Sequence, residues 1–142
     1  MQLTIQTDYA LRTLMYLATR QQRAKAADVA TLFGISVHHV AKVVNLLGRF
    51  GYIRSVRGIG GGIELAMTPE QIRIGDVIEH IEGNLHLLSC VGSDESCRIH
   101  SFCKLKGVLA EAERIQKEYL KSVTLKDVVP TRKQLKPFEP ST

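Results

Sequence analysis

Three cysteines, Cys90, Cys97 and Cys103, lie within one short stretch, separated by six and then five residues. An odd number of thiols, in a chain whose first residues show no export signal, argues against a disulfide scaffold. In a reducing compartment, clustered thiols are more often metal ligands or redox groups. The spacing is not that of a zinc ribbon, which pairs thiols two residues apart. Ferredoxin runs use shorter intervals and four cysteines per cluster. Three thiolates on a loop can still hold iron and sulfide when a fourth ligand comes from elsewhere. The residue types available for that role are Asp8, His86, His100 and Glu95.

A second group of side chains has nucleic-acid chemistry. His38, Lys42, Asn45 and Arg49 recur at steps of four, three and four, which is one stripe of a helix, and His39 lies beside its start. Ser36 can cap this helix, and residues near a helix start can reach base edges while Lys and Arg meet phosphates. Downstream, Arg57 stands at the root of a glycine-rich tip, Gly58 to Gly62, with Gly60 at its centre. An arginine on such a tip suits a narrow minor groove, where negative potential concentrates. The glycines do not form a nucleotide-binding loop, because a strand-like Ile63-Glu64-Leu65-Ala66 follows and no Lys-Ser/Thr completes the motif.

These groups must be held by a small set of elements. A first helix is expected from about Thr7, capped by its hydroxyl, to Ala18. A second carries Val29, Ala30, Leu32 and Phe33 and stops at Gly34. A third runs from Ser36 to about Phe50 with Val37, Val40, Val44 and Leu47 inward. Ala30, Gly34, Ile35, Val40 and Leu47 fit the crossing of a helix-turn-helix. Ile53–Val56 and Ile63–Ala66 read as a hairpin, or wing. Thr68-Pro69-Glu70-Gln71 has the residues of a helix start, and another short helix covers Gly75–Ile81. A long helix follows Cys103, its Leu105, Val108, Ala112, Ile115 and Tyr119 spaced as a coiled-coil seam that pairs with another helix. Thr124–Val129 reads as a capped turn.

Composition is that of an ordinary globular domain and disfavours other classes. The 142 residues are 44% hydrophobic and 23% charged, with a net charge of +5. Residues 1–67 carry +5, residues 68–103 carry −4 and residues 104–142 carry +4. A basic front section suits a polyanionic partner. No apolar run approaches the ~18–20 residues that cross a bilayer, and no signal peptide is evident, so a cytoplasmic location is expected. Five scattered histidines without a nucleophile–base pattern speak against an enzyme. The expected organisation is a winged helix-turn-helix region over 1–84, a cluster-binding loop over 85–103, a dimerisation helix and final turn over 104–129, and a disordered tail over 130–142.

Several segments together are specific. Thr7-Asp8-Tyr9-Ala10-Leu11-Arg12, the Val56-Arg57-Gly58 to Gly61-Gly62-Ile63 wing, Ile74-Gly75-Asp76-Val77-Ile78, the three cysteines with Cys103-Lys104-Leu105-Lys106, and Thr124-Leu125-Lys126-Asp127-Val128-Val129 are the carriers. From Met1 to about Val129 the chain resembles a winged-helix regulator family that contains nitric-oxide-sensing repressors and the iron–sulfur regulator IscR. The resemblance implies a mainly α fold, a homodimer with crossing long helices on a palindromic DNA operator, and one iron–sulfur cluster per subunit. In the nitric-oxide-sensing members the cluster is 4Fe-4S, held by the three cysteines and an aspartate near the amino terminus of the partner subunit; Asp8 matches that position. Members like IscR place a histidine three residues after the last cysteine, where this chain has Lys106, which disfavours a 2Fe-2S site. Nitric oxide is the implied signal, with iron supply, cluster supply, oxygen or general redox state as the alternative.

Overall fold

The computed structural model describes residues 2–139. Helix α1 (Ile5–Arg20) starts earlier than its sequence suggests, because Thr4 supplies the cap: its Oγ1 accepts the Thr7 backbone N–H at 3.4 Å. Thr7 is fully buried and gives its hydroxyl proton to Glu82 instead. Helix α2 (Ala26–Phe33) ends at Gly34, whose φ of 63° lies in the left-handed region that a residue without Cβ enters freely. Helix α3 (Val37–Arg49) is capped by Ser36, whose Oγ accepts the His38 N–H at 3.2 Å.

The buried stripe of α3 is Val40, Val43, Val44 and Leu47. Val37, expected inward, is half exposed. It sits about 60° round the helix from Val40, in the first turn, and Val43 on the other flank of the stripe takes its place. These side chains meet Ala10, Leu14 and Leu17 of α1 and Val29 and Ala30 of α2 in one core.

Strands β1 (Ile53–Val56) and β2 (Gly62–Leu65) pair antiparallel, Ile53 opposite Leu65 and Val56 opposite Gly62. The free edge of β2 takes one further bridge: Ala24 and Ile63 exchange N–H···O bonds of 3.0 and 2.8 Å. A Cβ on Gly62 would stand 2.6 Å from the Ala24 carbonyl oxygen, so glycine lets the two backbones meet.

Thr68–Gln71 forms one turn and no helix, with Gln71 N–H on the Thr68 carbonyl at 2.9 Å and Thr68 N–H on Gln71 Oε1 at 3.1 Å. The reason is downstream. Ile72 is fully buried and Arg73 bridges to Thr124, which demands extended backbone before α4 (Ile74–Glu82) can begin. After α4 the chain makes two 3-10 turns, Ser89–Val91 and His100–Phe102, and enters the long helix α5 (Lys104–Ser122).

Beyond α5 the chain returns to the winged unit. In α6 (Leu125–Val128), Leu125 has no exposed surface and its N–H bonds the Ile72 carbonyl at 2.7 Å. The tail expected to be disordered from residue 130 is folded over 131–139. Thr131 and Gln134 cap α7 (Arg132–Leu135) reciprocally, a 3-10 turn covers Lys136–Phe138, and Glu139 lies 3.7 Å from Arg20. Residues 140–142 of that expected tail lie outside the described residues.

Candidate nucleic-acid interface and thiol loop

Every polar residue expected on the α3 stripe is on the surface. Ser36, His38, His39, Lys42, Asn45 and Arg49 are all exposed, and Tyr9 of α1 lies beside His39 with ring centroids 6.0 Å apart. Burial of Val40, Val43, Val44 and Leu47 on the opposite side fixes the rotation of α3, so the polar stripe cannot turn inward. Arg57 and Gly60 of the wing are exposed too.

Two residues that brace the wing escaped sequence reading, Arg23 and Arg54. Glu64 on β2 accepts from Arg54 Nε at 2.8 Å and from Arg23 Nε at 3.1 Å, and Arg23 Nη1 also donates to the Gly60 carbonyl at 3.3 Å. Hydrogen bonds from Arg54 and then Arg23 outweigh the opposing effect of burial and hold the Glu64 carboxyl below its usual range. Its place next to the apolar Ile53, on the opposite face of a strand, was the available signal for Arg54. Arg23 gave none, because it lies in a polar link between helices.

Helix α4 joins three parts of the molecule. Its Glu82 Oε1 accepts from Thr4 N–H at 2.7 Å, Thr4 Oγ1 at 2.8 Å and Thr7 Oγ1 at 2.5 Å, tying down the start of α1. Its Glu79 faces Lys117 at 2.5 Å and Lys121 at 2.7 Å on α5, and their hydrogen bonds bring the Glu79 pKa down to about 2. Its His80 stacks on Phe50 at the end of α3, 4.9 Å between centroids, and its Nδ1 lies 2.6 Å from the Tyr52 hydroxyl. Burial, then the charge of Asp76, pushes the Tyr52 hydroxyl up to about 12.

The thiol loop starts from the end of α4. Cys90 sits in the first 3-10 turn, Cys97 is exposed between the turns, and Cys103 is the cap residue of α5; all three are free thiols. The loop is fastened to α5 through Glu113, which accepts the Leu87 N–H at 2.6 Å and faces His86 Nδ1 at 3.1 Å. Asp94 organises the middle by accepting from Ser89 Oγ at 3.1 Å and the Ser96 N–H at 2.9 Å. Asp8 lies on the first turn of α1, half exposed, with both oxygens 2.9 Å from Arg12. Of the other candidate ligands, His86 is engaged with Glu113, His100 with Lys106 Nζ at 2.5 Å, and Glu95 is exposed.

Among the described residues, no three His, Cys, Asp or Glu side chains converge on one point within the chain. The donor set nevertheless suits an iron–sulfur group. Three free, at least partly accessible cysteines offer soft sulfur ligands, and they leave one coordination position for a donor from outside the loop. The seam of α5 is equally open: Leu105, Val108, Ile115 and Tyr119 are each more than half exposed, and the helix contains no buried residue.

Comparison with known proteins follows the same lines. The profile of the Rrf2 family, described as "Iron-dependent Transcriptional regulator", matches residues 3–131. The chain belongs to the Rrf2 family, and it is a winged helix-turn-helix transcriptional regulator that binds DNA rather than an enzyme. It is 41% identical to the HTH-type transcriptional regulator NsrR of Halalkalibacterium halodurans, over 95% of this chain and 94% of that one. With the NsrR of Shouchella clausii the identity is 42%, covering 91% and 89%. The solved structure of T. potens IscR shares the fold, with a TM-score of 0.73 at 24% identity, covering 100% of this chain and 93% of the other. Among the described residues, no helix is long and apolar enough to cross a membrane.

Proposed function

We propose that the chain is a homodimeric repressor that senses nitric oxide through an iron–sulfur cluster. The observation that carries this reading is the arrangement around α4. One short helix is bonded to the α1 turn bearing Asp8, to the C-terminal half of α5, the helix whose Glu113 fastens the thiol loop, and to the end of the DNA-facing helix. Cys90, Cys97 and Cys103 would hold the group from one subunit, and Asp8 of the partner subunit would complete it. The half-exposed Asp8 carboxylate and the unpaired seam of α5 support a shared site between two chains.

A 4Fe-4S cluster held there would supply iron reactive toward nitric oxide, and its loss or nitrosylation would free the operator. The remaining work falls to the chain. Arg12 holds the Asp8 carboxylate through both oxygens, and would have to release at least one of them for Asp8 to serve as a ligand. Crossing α5 helices, paired along Leu105, Val108, Ala112, Ile115 and Tyr119, would set the separation of the two α3 helices. Half-sites one turn apart need ~34 Å, so a small change in that separation spoils simultaneous binding. Lys42 and Arg49 would meet phosphates, Ser36, His38, His39 and Asn45 would approach base edges, and Arg57 and Gly60 would enter the minor groove.

The test is an oxygen-free purification with absorption spectrum and iron and sulfide analysis, followed by operator titration before and after nitric oxide. Iron and sulfide near four each per chain, and operator affinity that falls on treatment, are expected. Equal affinities refute the reading.

A further inference from the structure

We propose that Ile59, at the tip of the wing, is a specificity residue that enters the DNA minor groove and selects A·T over G·C pairs. The inference rests on DNA binding by the wing, and not on the cluster or its signal.

Ile59 has a relative exposure of 109%, the highest of the large apolar side chains among the described residues. A branched apolar side chain standing in water gains from any surface that covers it. Its own protein cannot do so, because the tip is held away. Gly58 and Gly60 have φ of 95° and 75°, and the Gly61 N–H closes the turn onto the Gly58 carbonyl at 3.0 Å. Gly61 has no room for a Cβ, which would press on the Val56 and Gly58 carbonyl oxygens. Arg23 then pins the tip from outside by donating to the Gly60 carbonyl, while its Nε and Arg54 grip Glu64. The backbone thus projects Ile59 in one direction.

The surroundings indicate what covers it. Arg57 and Arg54 are exposed on the same hairpin, and Glu64 is already neutralised between two guanidinium groups. An apolar point flanked by cations suits a polyanion with apolar walls, and not an apolar protein surface. The minor groove of DNA is about 6 Å wide, walled by sugars, and its floor differs between pairs chiefly by the amino group of guanine. That amino group would meet the Ile59 methyls and lose its water without gaining a partner. A·T runs present no such group and narrow the groove onto the side chain. Apolar side chains placed in the minor groove are an established means of shape-dependent recognition.

The experiment uses the whole protein, purified without oxygen. Binding sites are selected from a random duplex library by the wild type, Ile59→Ser, Ile59→Val and Lys42→Ala. In the wild-type site, positions that select A·T outside the α3 contacts are replaced by G·C, and separately by inosine·cytosine, which lacks the minor-groove amino group. For the wild type, G·C is expected to weaken binding about tenfold and inosine·cytosine to restore it. Ile59→Ser is expected to lose this discrimination, to twofold or less, and Ile59→Val to keep it. The side chain touches nothing in its own chain, so these variants fold. Lys42→Ala is expected to weaken every duplex while leaving the wing preference intact. If Ile59→Ser discriminates as the wild type does, or inosine does not restore binding, the assignment to Ile59 is wrong. If the wild type enriches no duplex at all, DNA reading itself fails and the inference with it.

Discussion

Replacing Gly75 by alanine should push α4 and α5 apart, although alanine is the better helix former. A Cβ at this position would stand 2.6 Å from the Lys121 backbone nitrogen and Cγ and 2.8 Å from the Leu120 carbonyl carbon. Rotating the Lys121 side chain relieves only one of these, since the other two are backbone. Reaching ordinary contact at 3.4 Å requires the helices to separate by about 0.8 Å. That movement pulls on the Arg73 Nη1 bond to the Lys121 carbonyl and on the Ile74 N–H bond to the Val123 carbonyl, each 2.9 Å. Alanine contributes about 1 kcal/mol of helix propensity, while overpacking costs about 1–3 kcal/mol and strained hydrogen bonds add to that. The net expectation is destabilisation by about 1–2 kcal/mol. Gly107 is the control: it lies in α5 with nothing within 4 Å of a built Cβ, so Gly107→Ala should stabilise by about 0.5–1 kcal/mol. Urea denaturation followed by circular dichroism measures both. A Gly75→Ala protein as stable as the wild type would show that α5 does not press on α4 as described.

Glu82→Ala should cost about 1–3 kcal/mol, because the buried Thr7 hydroxyl loses its acceptor and the α1 terminus loses its tie. Burial works against ionisation of Glu82, yet hydrogen bonds from Thr7 and Thr4 win and hold its carboxyl below the ordinary 4.5. A lowered folded pKa gives stability that is present above 4.5 and lost as pH falls through the folded value, so the Tm gap between wild type and variant should shrink on acidification from pH 6. Cys97→Ala should remove iron and sulfide while leaving the far-ultraviolet spectrum intact, since Cys97 is exposed and packs nothing; full iron content would strike it from the ligand set. Arg57→Ala should weaken operator binding about fivefold or more and reduce its salt dependence by about two ions, one per subunit of the proposed dimer, with the iron content unchanged.

What the sequence made legible was local. Ser36 and Gly34 bracket the turn before α3 because a hydroxyl cap and a left-handed glycine each act within a few residues. What it hid depends on partners distant in the chain. Thr68-Pro69-Glu70-Gln71 has every residue of a helix start, but Ile72 is wanted in the core and Arg73 at Thr124, so the helix waits until Ile74. Thr4 supplanted Thr7 as a cap because Glu82, far along the chain, claims the Thr7 hydroxyl. The prolines after 129 suggested disorder, whereas the reciprocal Thr131–Gln134 cap, the same pattern that misled at Thr68, here forms its helix. Of the candidate site, the α3 stripe could be read from periodicity. The clasp of Arg23 and Arg54 on Glu64 could not, because it joins three segments with no shared period.

The absence of any buried residue in α5 has a physiological consequence. A nineteen-residue helix in water is only marginally ordered on its own, and this one is braced by its own chain mainly through Glu79, Gly75 and Glu113. In the proposed dimer, a partner helix lying along Leu105 and Val108 would also steady Cys103, the residue from which α5 springs. On the proposed reading, newly made protein at low abundance would offer a loosely held third thiol, and building the proposed cluster would depend on how many copies the cell already contains.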